Sequence, residues 1–115
     1  MDRNIIFVHG FASSKLIWVN QVNYMNKLGW KSHVIDLLGH GEGTKPGSKD
    51  GFNIENMYKA FRQDVSKINE PLVFVGHSLG CYLSILHAME YPSKSRGLVL
   101  IAPLVNPRQF KAKTA

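Results

Sequence analysis

With 115 residues, 44% of them hydrophobic and 19% charged, the chain has room for one packed core and not two, and its composition excludes the disordered, collagenous and disulfide-dense classes. The net charge of +6 is spread without a basic run or interleaved aromatics and is greatest in the tail, at Lys94, Arg96, Arg108, Lys111 and Lys113, which argues against a nucleic-acid partner. Cys81, the single cysteine, allows no internal disulfide and argues against a thiolate metal site.

Ile5-Ile6-Phe7-Val8 reads as a first strand running into His9-Gly10-Phe11. It is too short for the apolar region of a signal peptide. No apolar run approaches the ~18 residues of a membrane helix, so the expectation is a cytoplasmic protein with no membrane partner. Ser13 or Ser14 can cap a helix whose apolar positions are Trp18, Val22, Met25 and Leu28, with Gly29 as its stop. A second strand over about 32–37 ends in Asp36 and a glycine-rich loop, Gly39-His40-Gly41-Glu42-Gly43-Thr44. Residues 45–51 read as a surface loop. Asn53 can cap a second helix, with Ile54, Met57, Tyr58, Phe61, Val65 and Ile68 on one face.

Leu72-Val73-Phe74-Val75 is a continuous apolar run and reads as a buried parallel strand. The segment after Ser78 carries Leu79, Tyr82, Leu83, Ile85, Leu86, Ala88 and Met89, too apolar for a surface helix. A fourth strand comes after Pro92, over 97–102, and residues 106–115 read as a frayed end. Strand alternating with helix predicts an α/β domain with a parallel sheet of about four strands, order 2-1-3-4, and helices on both faces. Ligands of such sheets bind outside the carboxyl ends of the strands where the order reverses. Here that is between strands one and three, bordered by His9-Gly10-Phe11 and His77-Ser78-Leu79.

Gly76-His77-Ser78-Leu79-Gly80 lies at the strand-to-helix turn, where a G-x-S-x-G nucleophile elbow has to be. The turn is so tight that the residues two before and two after the serine need almost no side chain. A hydroxyl there stands at the head of a helix, where amides and dipole favour developing negative charge.

With these residues the chain resembles the α/β-hydrolase superfamily, in its esterase- and lipase-like branch. Phe7-Val8-His9-Gly10-Phe11 is similar to the oxyanion loop. Trp18, Gln21, Leu28 and Gly29 match the helix behind it, and Asp36-Leu37-Leu38-Gly39-His40-Gly41 matches the loop after the next strand. Gly76 to Gly80 match the elbow, and Tyr91-Pro92 with Leu98-Val99-Leu100 matches the segment beyond its helix. The resemblance implies serine-based acyl transfer from a small ester-like substrate without a cofactor. Ser78 would be the nucleophile, the backbone N–H groups of Phe11 and Leu79 the oxyanion hole, and His9, Gly10, Gly76, His77 and Gly80 its support.

The family order of nucleophile, acid, histidine is not completed here. After Ser78 the only histidine is His87, inside a helix, and the only acid is Glu90. Of the earlier candidates, His77 should leave the turn in another direction, while His9 and His40 resemble structural loop residues. His33 lies at the wrong end of the sheet, and Asp36 is two strand spacings, roughly 10 Å, sideways of strand three. No histidine pair has metal-ligand spacing, and the glycine loop lacks a nucleotide-binding frame. The expectation is a single partial domain over 1–115, the N-terminal half of the fold. Three readings stay open: a serine hydrolase, as a fragment or completed by another chain; a non-catalytic remnant that interacts or self-associates through its exposed sheet; or a truncation without a role.

Overall fold

The computed structural model describes residues 3–41, 43 and 53–103. The surface loop expected at 45–51 and the frayed end expected at 106–115 lie outside them.

Four parallel strands, β1 (Asn4–Val8), β2 (Lys31–Ile35), β3 (Leu72–His77) and β4 (Ser95–Ile101), form one sheet in the order β2-β1-β3-β4. This is the predicted order. Three helices, α1 (Val19–Lys27), α2 (Ile54–Ser66) and α3 (Leu79–Glu90), connect them. β1 is buried along its whole length because helices cover both of its faces. Ile5 and Phe7 point to one side, against Trp18, Val22 and Met25. Ile6 and Val8 point to the other, into a larger cluster with Met57, Phe61, Val65, Leu72, Phe74 and Leu83. Alternate residues of one strand thus feed two cores, as expected of a parallel strand between helical layers.

The helix ends obey the sequence chemistry. The Ser14 hydroxyl accepts the Leu16 N–H (3.3 Å) at the head of a 3-10 turn, Lys15–Trp18, that leads into α1. Gly29, at φ 88°, closes α1, with Trp30 N–H bonded to Met25 O at 3.0 Å. The Asn53 side chain accepts the Asn56 N–H (2.8 Å) and caps α2.

Two strand boundaries and the burial of α3 differ from the sequence-based expectation. β2 stops at Ile35, opposite Val8, because β1 ends there and leaves nothing to pair with. β4 begins at Ser95, since an irregularity in the ladder pairs Leu72 with Ser95 and Val73 with Gly97, passing over Arg96. α3 is buried on one side only, through Gly80, Cys81, Leu83, Ser84 and His87; Met89 is exposed. β4 is an edge strand, and Leu98, Val99, Leu100 and Ile101 are all exposed, at 38–47%. The exposure therefore includes both parities of β4. Among the described residues no helix is long and apolar enough to cross a membrane.

Candidate active site

β3 ends at His77 and α3 starts at Leu79, so one residue, Ser78, makes the turn. Its backbone lies at φ 56°, ψ −115°, a region that disfavours any residue with a side chain by roughly 1–3 kcal/mol. The surroundings hold it there. Ser78 N–H bonds to Ile101 O (3.0 Å), carrying the β3–β4 ladder into the turn, and Cys81 N–H bonds to Ser78 O (3.0 Å). The Ser78 hydroxyl does not cap its own helix, and the residue is only half-buried.

Why the neighbours are glycines is visible in what a side chain would meet. A Cβ on Gly76 would lie 2.7 Å from Cys81 N and Gly80 C, and one on Gly80 would lie 2.2 Å from Val8 O. A Cβ on Gly10 would come within 2.9 Å of Ser78 Cβ and 3.1 Å of His77 O. The loop after β1 is thus pressed against the elbow, and the predicted crevice between β1 and β3 is closed at its floor. Beneath the turn, the buried Cys81 thiol reaches Gly76 O (3.2 Å) and Ile101 O (3.5 Å). Burial pushes its pKa up.

The loop after β1 is tied to the loop after β2. His9, fully buried, bonds through Nδ1 to Gly10 O (2.7 Å) and through Nε2 to Leu37 N (2.9 Å). His40 bonds through Nδ1 to Leu38 O (2.9 Å) and through Nε2 to Ala12 N (2.8 Å). Asp36 Oδ1 accepts the Lys15 N–H (2.7 Å) and stands 3.7 Å from His9 Nε2. Burial holds His9 below the usual imidazole range, aided by His40 and opposed by the Gly10 carbonyl and Asp36. Phe11 is exposed, its ring edge-on to His40 at 5.5 Å.

The structure thus brings Gly10, Phe11, Gly76, His77, Ser78, Leu79 and Gly80 to one place, with His9 behind them. Among the described residues no imidazole is hydrogen-bonded to the Ser78 hydroxyl. His77 is half-buried, and its Nδ1 has no partner and lies toward Gly10. His87 is two and a half helical turns along α3, roughly 13 Å from Ser78 at 1.5 Å per residue. There it packs against Phe61, Phe74 and Tyr91, and burial lowers its pKa. Glu90 pairs with Arg62 at 2.8 Å, and His33 bonds Asn4 Oδ1. No three His, Cys, Asp or Glu side chains gather as a metal site among the described residues.

The two interloop histidine bonds went unread in the sequence. Each links positions 28 apart, and a histidine flanked by glycine carries no mark of which amide it will meet.

Comparison with known proteins agrees with this fold. The alpha/beta hydrolase fold family matches residues 3–113. The chain is 31% identical over 107 residues to the probable lysophospholipase BODYGUARD 1 of Arabidopsis thaliana, covering 89% of this chain and 23% of that protein. It is 33% identical over 105 residues to the monoacylglycerol lipase ABHD6 of Homo sapiens, covering 87% and 30%. The thioesterase domain from the curacin biosynthetic pathway superposes with a TM-score of 0.84 at 20% identity, over 98% of this chain and 43% of that one. A polyneuridine aldehyde esterase mutant does so with 0.81 at 18%, over 100% and 49%. The chain therefore spans under a third of these curated relatives and under half of these solved chains.

Proposed function

This chain belongs to the alpha/beta hydrolase fold family, and from that premise we propose that it carries the nucleophile and oxyanion half of a serine hydrolase acting on ester or related acyl bonds. The observation that carries the reading is the strained Ser78, at φ 56°, pinned between β3, β4 and α3 with its hydroxyl unused by the helix it heads. Strain of this kind persists where the surrounding fold over-determines it. The lysophospholipase and monoacylglycerol lipase names of the relatives favour lipid esters as the substrate class.

In this reading Ser78 Oγ attacks the acyl carbon and the carbonyl oxygen becomes an oxyanion. The N–H groups of Phe11 and Leu79 receive it. Leu79 qualifies because the first amides of a helix have no carbonyl of their own helix to bond. Phe11 qualifies because the glycine before it lies so near the serine that a Cβ there would come within 2.9 Å of Ser78 Cβ. Each such donor is worth ~10²–10³ in rate. The alcohol leaves with a proton, and water then cleaves the acyl-enzyme. The proton on Ser78 needs a base, and none of the described imidazoles reaches it, so a base and its acid would come from further sequence or from a completing chain. Losing the base alone costs ~10⁶ in turnover in a serine protease and leaves ~10³–10⁴ over water.

The test is hydrolysis of p-nitrophenyl acetate and covalent labelling by a fluorophosphonate, for wild type and Ser78→Ala. The expected result is slow labelling at Ser78, absent in the variant, with ester turnover barely above background. Labelling elsewhere, or equal labelling of both proteins, overturns the reading. Fast Ser78-dependent turnover would keep the nucleophile and refute the missing base.

One observation favours a second reading, a non-catalytic interaction module. Among the described residues β4 is an unpaired edge whose four apolar residues at 98–101 are exposed, and such edges template pairing with another strand. Self-association through β4 is the outcome that would support it.

A further inference from the structure

The two histidines at the loops differ from the usual buried imidazole in one respect: every ring nitrogen has a partner whose role is fixed. A carbonyl oxygen only accepts and a backbone N–H only donates. His40 Nδ1 faces Leu38 O, so Nδ1 carries the proton; Nε2 faces Ala12 N–H, so Nε2 carries a lone pair. His9 obeys the same logic, donating from Nδ1 to Gly10 O and accepting at Nε2 from Leu37 N–H. Neither the other neutral tautomer nor the imidazolium satisfies both contacts of either ring.

What His40 holds is a strained piece of backbone. Ala12 sits at φ 60° without being glycine, in a region where alanine is unfavourable. Its N–H is the group that His40 Nε2 receives, across from the other loop. The residue before Ala12 is Phe11, whose ring lies edge-on to the same imidazole, and before that is Gly10, where Ser78 leaves no room for a side chain. The Ala12 N–H that His40 receives belongs to the Phe11–Ala12 peptide, the plane next to the one that carries the Phe11 N–H, so this bond anchors Phe11 on its C-terminal side.

We infer that His40, as its neutral Nδ1–H tautomer, is a positioning residue. By accepting the Ala12 N–H it holds Ala12 left-handed and anchors the Phe11–Ala12 peptide, which restrains Phe11 and with it the Phe11 N–H on the Ser78 side of the loop, with His9 as the second tether between the same two loops. The consequence for the oxyanion rests on the function proposed above; the hydrogen bond and the tautomer do not. Among the described residues, Asp36 faces the pair, its Oδ1 3.7 Å from His9 Nε2 and accepting the Lys15 N–H, and His77 lies toward Gly10.

The experiment has three readouts. Nitrogen-15 NMR of histidine-labelled wild type at pH 7.5 should show His40 and His9 neutral with the proton on Nδ1, and this needs no variant to fold. His40→Phe keeps a ring but has no acceptor, whereas His40→Gln can accept from Ala12 and donate to Leu38. Amide exchange at Ala12 should quicken roughly tenfold in His40→Phe, the loss of one hydrogen bond, and return toward wild type in His40→Gln. Fluorophosphonate labelling of Ser78 should slow in His40→Phe by up to ~10²-fold, the scale of one oxyanion donor, and recover in His40→Gln.

An Nε2–H or charged His40, or an unchanged Ala12 amide in His40→Phe, overturns the inference. So does faster exchange with unaltered labelling, which would leave His40 purely structural. Better tolerance of Phe than Gln would mean that the site wants a ring and not an acceptor. Wild type that does not label at all sinks the Ser78 reading instead, and the tautomer and exchange measurements then decide whether His40 holds the loop.

Discussion

Gly80→Ala is the sharpest single perturbation this fold offers. The added methyl would lie 2.2 Å from Val8 O and 2.8 Å from both Val8 C and His9 O. All three are main-chain atoms, so no side-chain rotation makes room. To reach an ordinary contact of 3.4 Å, the first turn of α3 and the end of β1 must part by about 1 Å. Overpacking of a tight site costs about 1–3 kcal/mol and sometimes more, while alanine returns at most ~1 kcal/mol of helix propensity. With backbone on both sides of the clash, the net loss should be about 2 kcal/mol. In a domain of this size that lowers Tm by roughly 10 °C. Gly97→Ala is the matched control, because its methyl meets nothing within 4 Å; a less flexible unfolded chain should leave it neutral or up to ~1 kcal/mol more stable. Thermal melts tracked by circular dichroism, backed by urea unfolding, measure both. A Gly80→Ala melt within about 2 °C of wild type, or a Gly97→Ala protein that falls as far, would refute the contact between β1 and the elbow.

Ser78→Gly should raise stability by about 1 kcal/mol by releasing the φ 56° strain while removing the hydroxyl, whereas Ser78→Ala should release nothing; urea midpoints that match for the two variants would contradict this. Stability should fall in mild acid. His9 and His87 are buried with pKa values lowered chiefly by desolvation, so the unfolded chain binds more protons than the folded one below about pH 6.5. Their contribution is complete above that value and is lost as pH drops toward the folded pKa values, by at most ~1.4 kcal/mol per pH unit for each group. Unfolding free energies at pH 7.5, 6.5 and 5.5 that stay flat or rise would show that these imidazoles are not held neutral. Finally, Leu100→Lys places a charge among the exposed residues of the β4 edge. Light scattering over a concentration series should find wild type associating and the variant monomeric, and a wild type that stays monomeric argues against pairing through β4.

The sheet order was legible because strand and helix signals alternate cleanly, and because handedness leaves few ways to thread four parallel strands. Capping was legible for a local reason: Ser14 and Asn53 meet amides two and three residues away. The tight strand-to-helix turn was legible since Gly76 and Gly80 are the residues a close approach requires, and both are crowded by backbone; the like crowding of Gly10 by the serine was not read. The end of β2 was not. Nothing in Asp36-Leu37 says that β1 has already stopped, and only the pairing partner decides it. Nor was the exposure of β4 on both faces, which depends on what packs beside it rather than on Leu98-Val99-Leu100-Ile101 themselves. The interloop bonds of His9 and His40 are the same kind of fact, being contacts between loops that meet only once the sheet has formed.

Cys81 lies directly under the serine turn, with its thiol against the carbonyls of Gly76 and Ile101. As the chain's single cysteine and a fully buried one, it can react with an alkylating reagent only when α3 lifts from the strands. Its modification rate, compared with that of a free thiol, therefore counts how often this turn opens. The protein thus contains a clock for the motion of its own elbow, one that runs without substrate and can be read in an inactive variant.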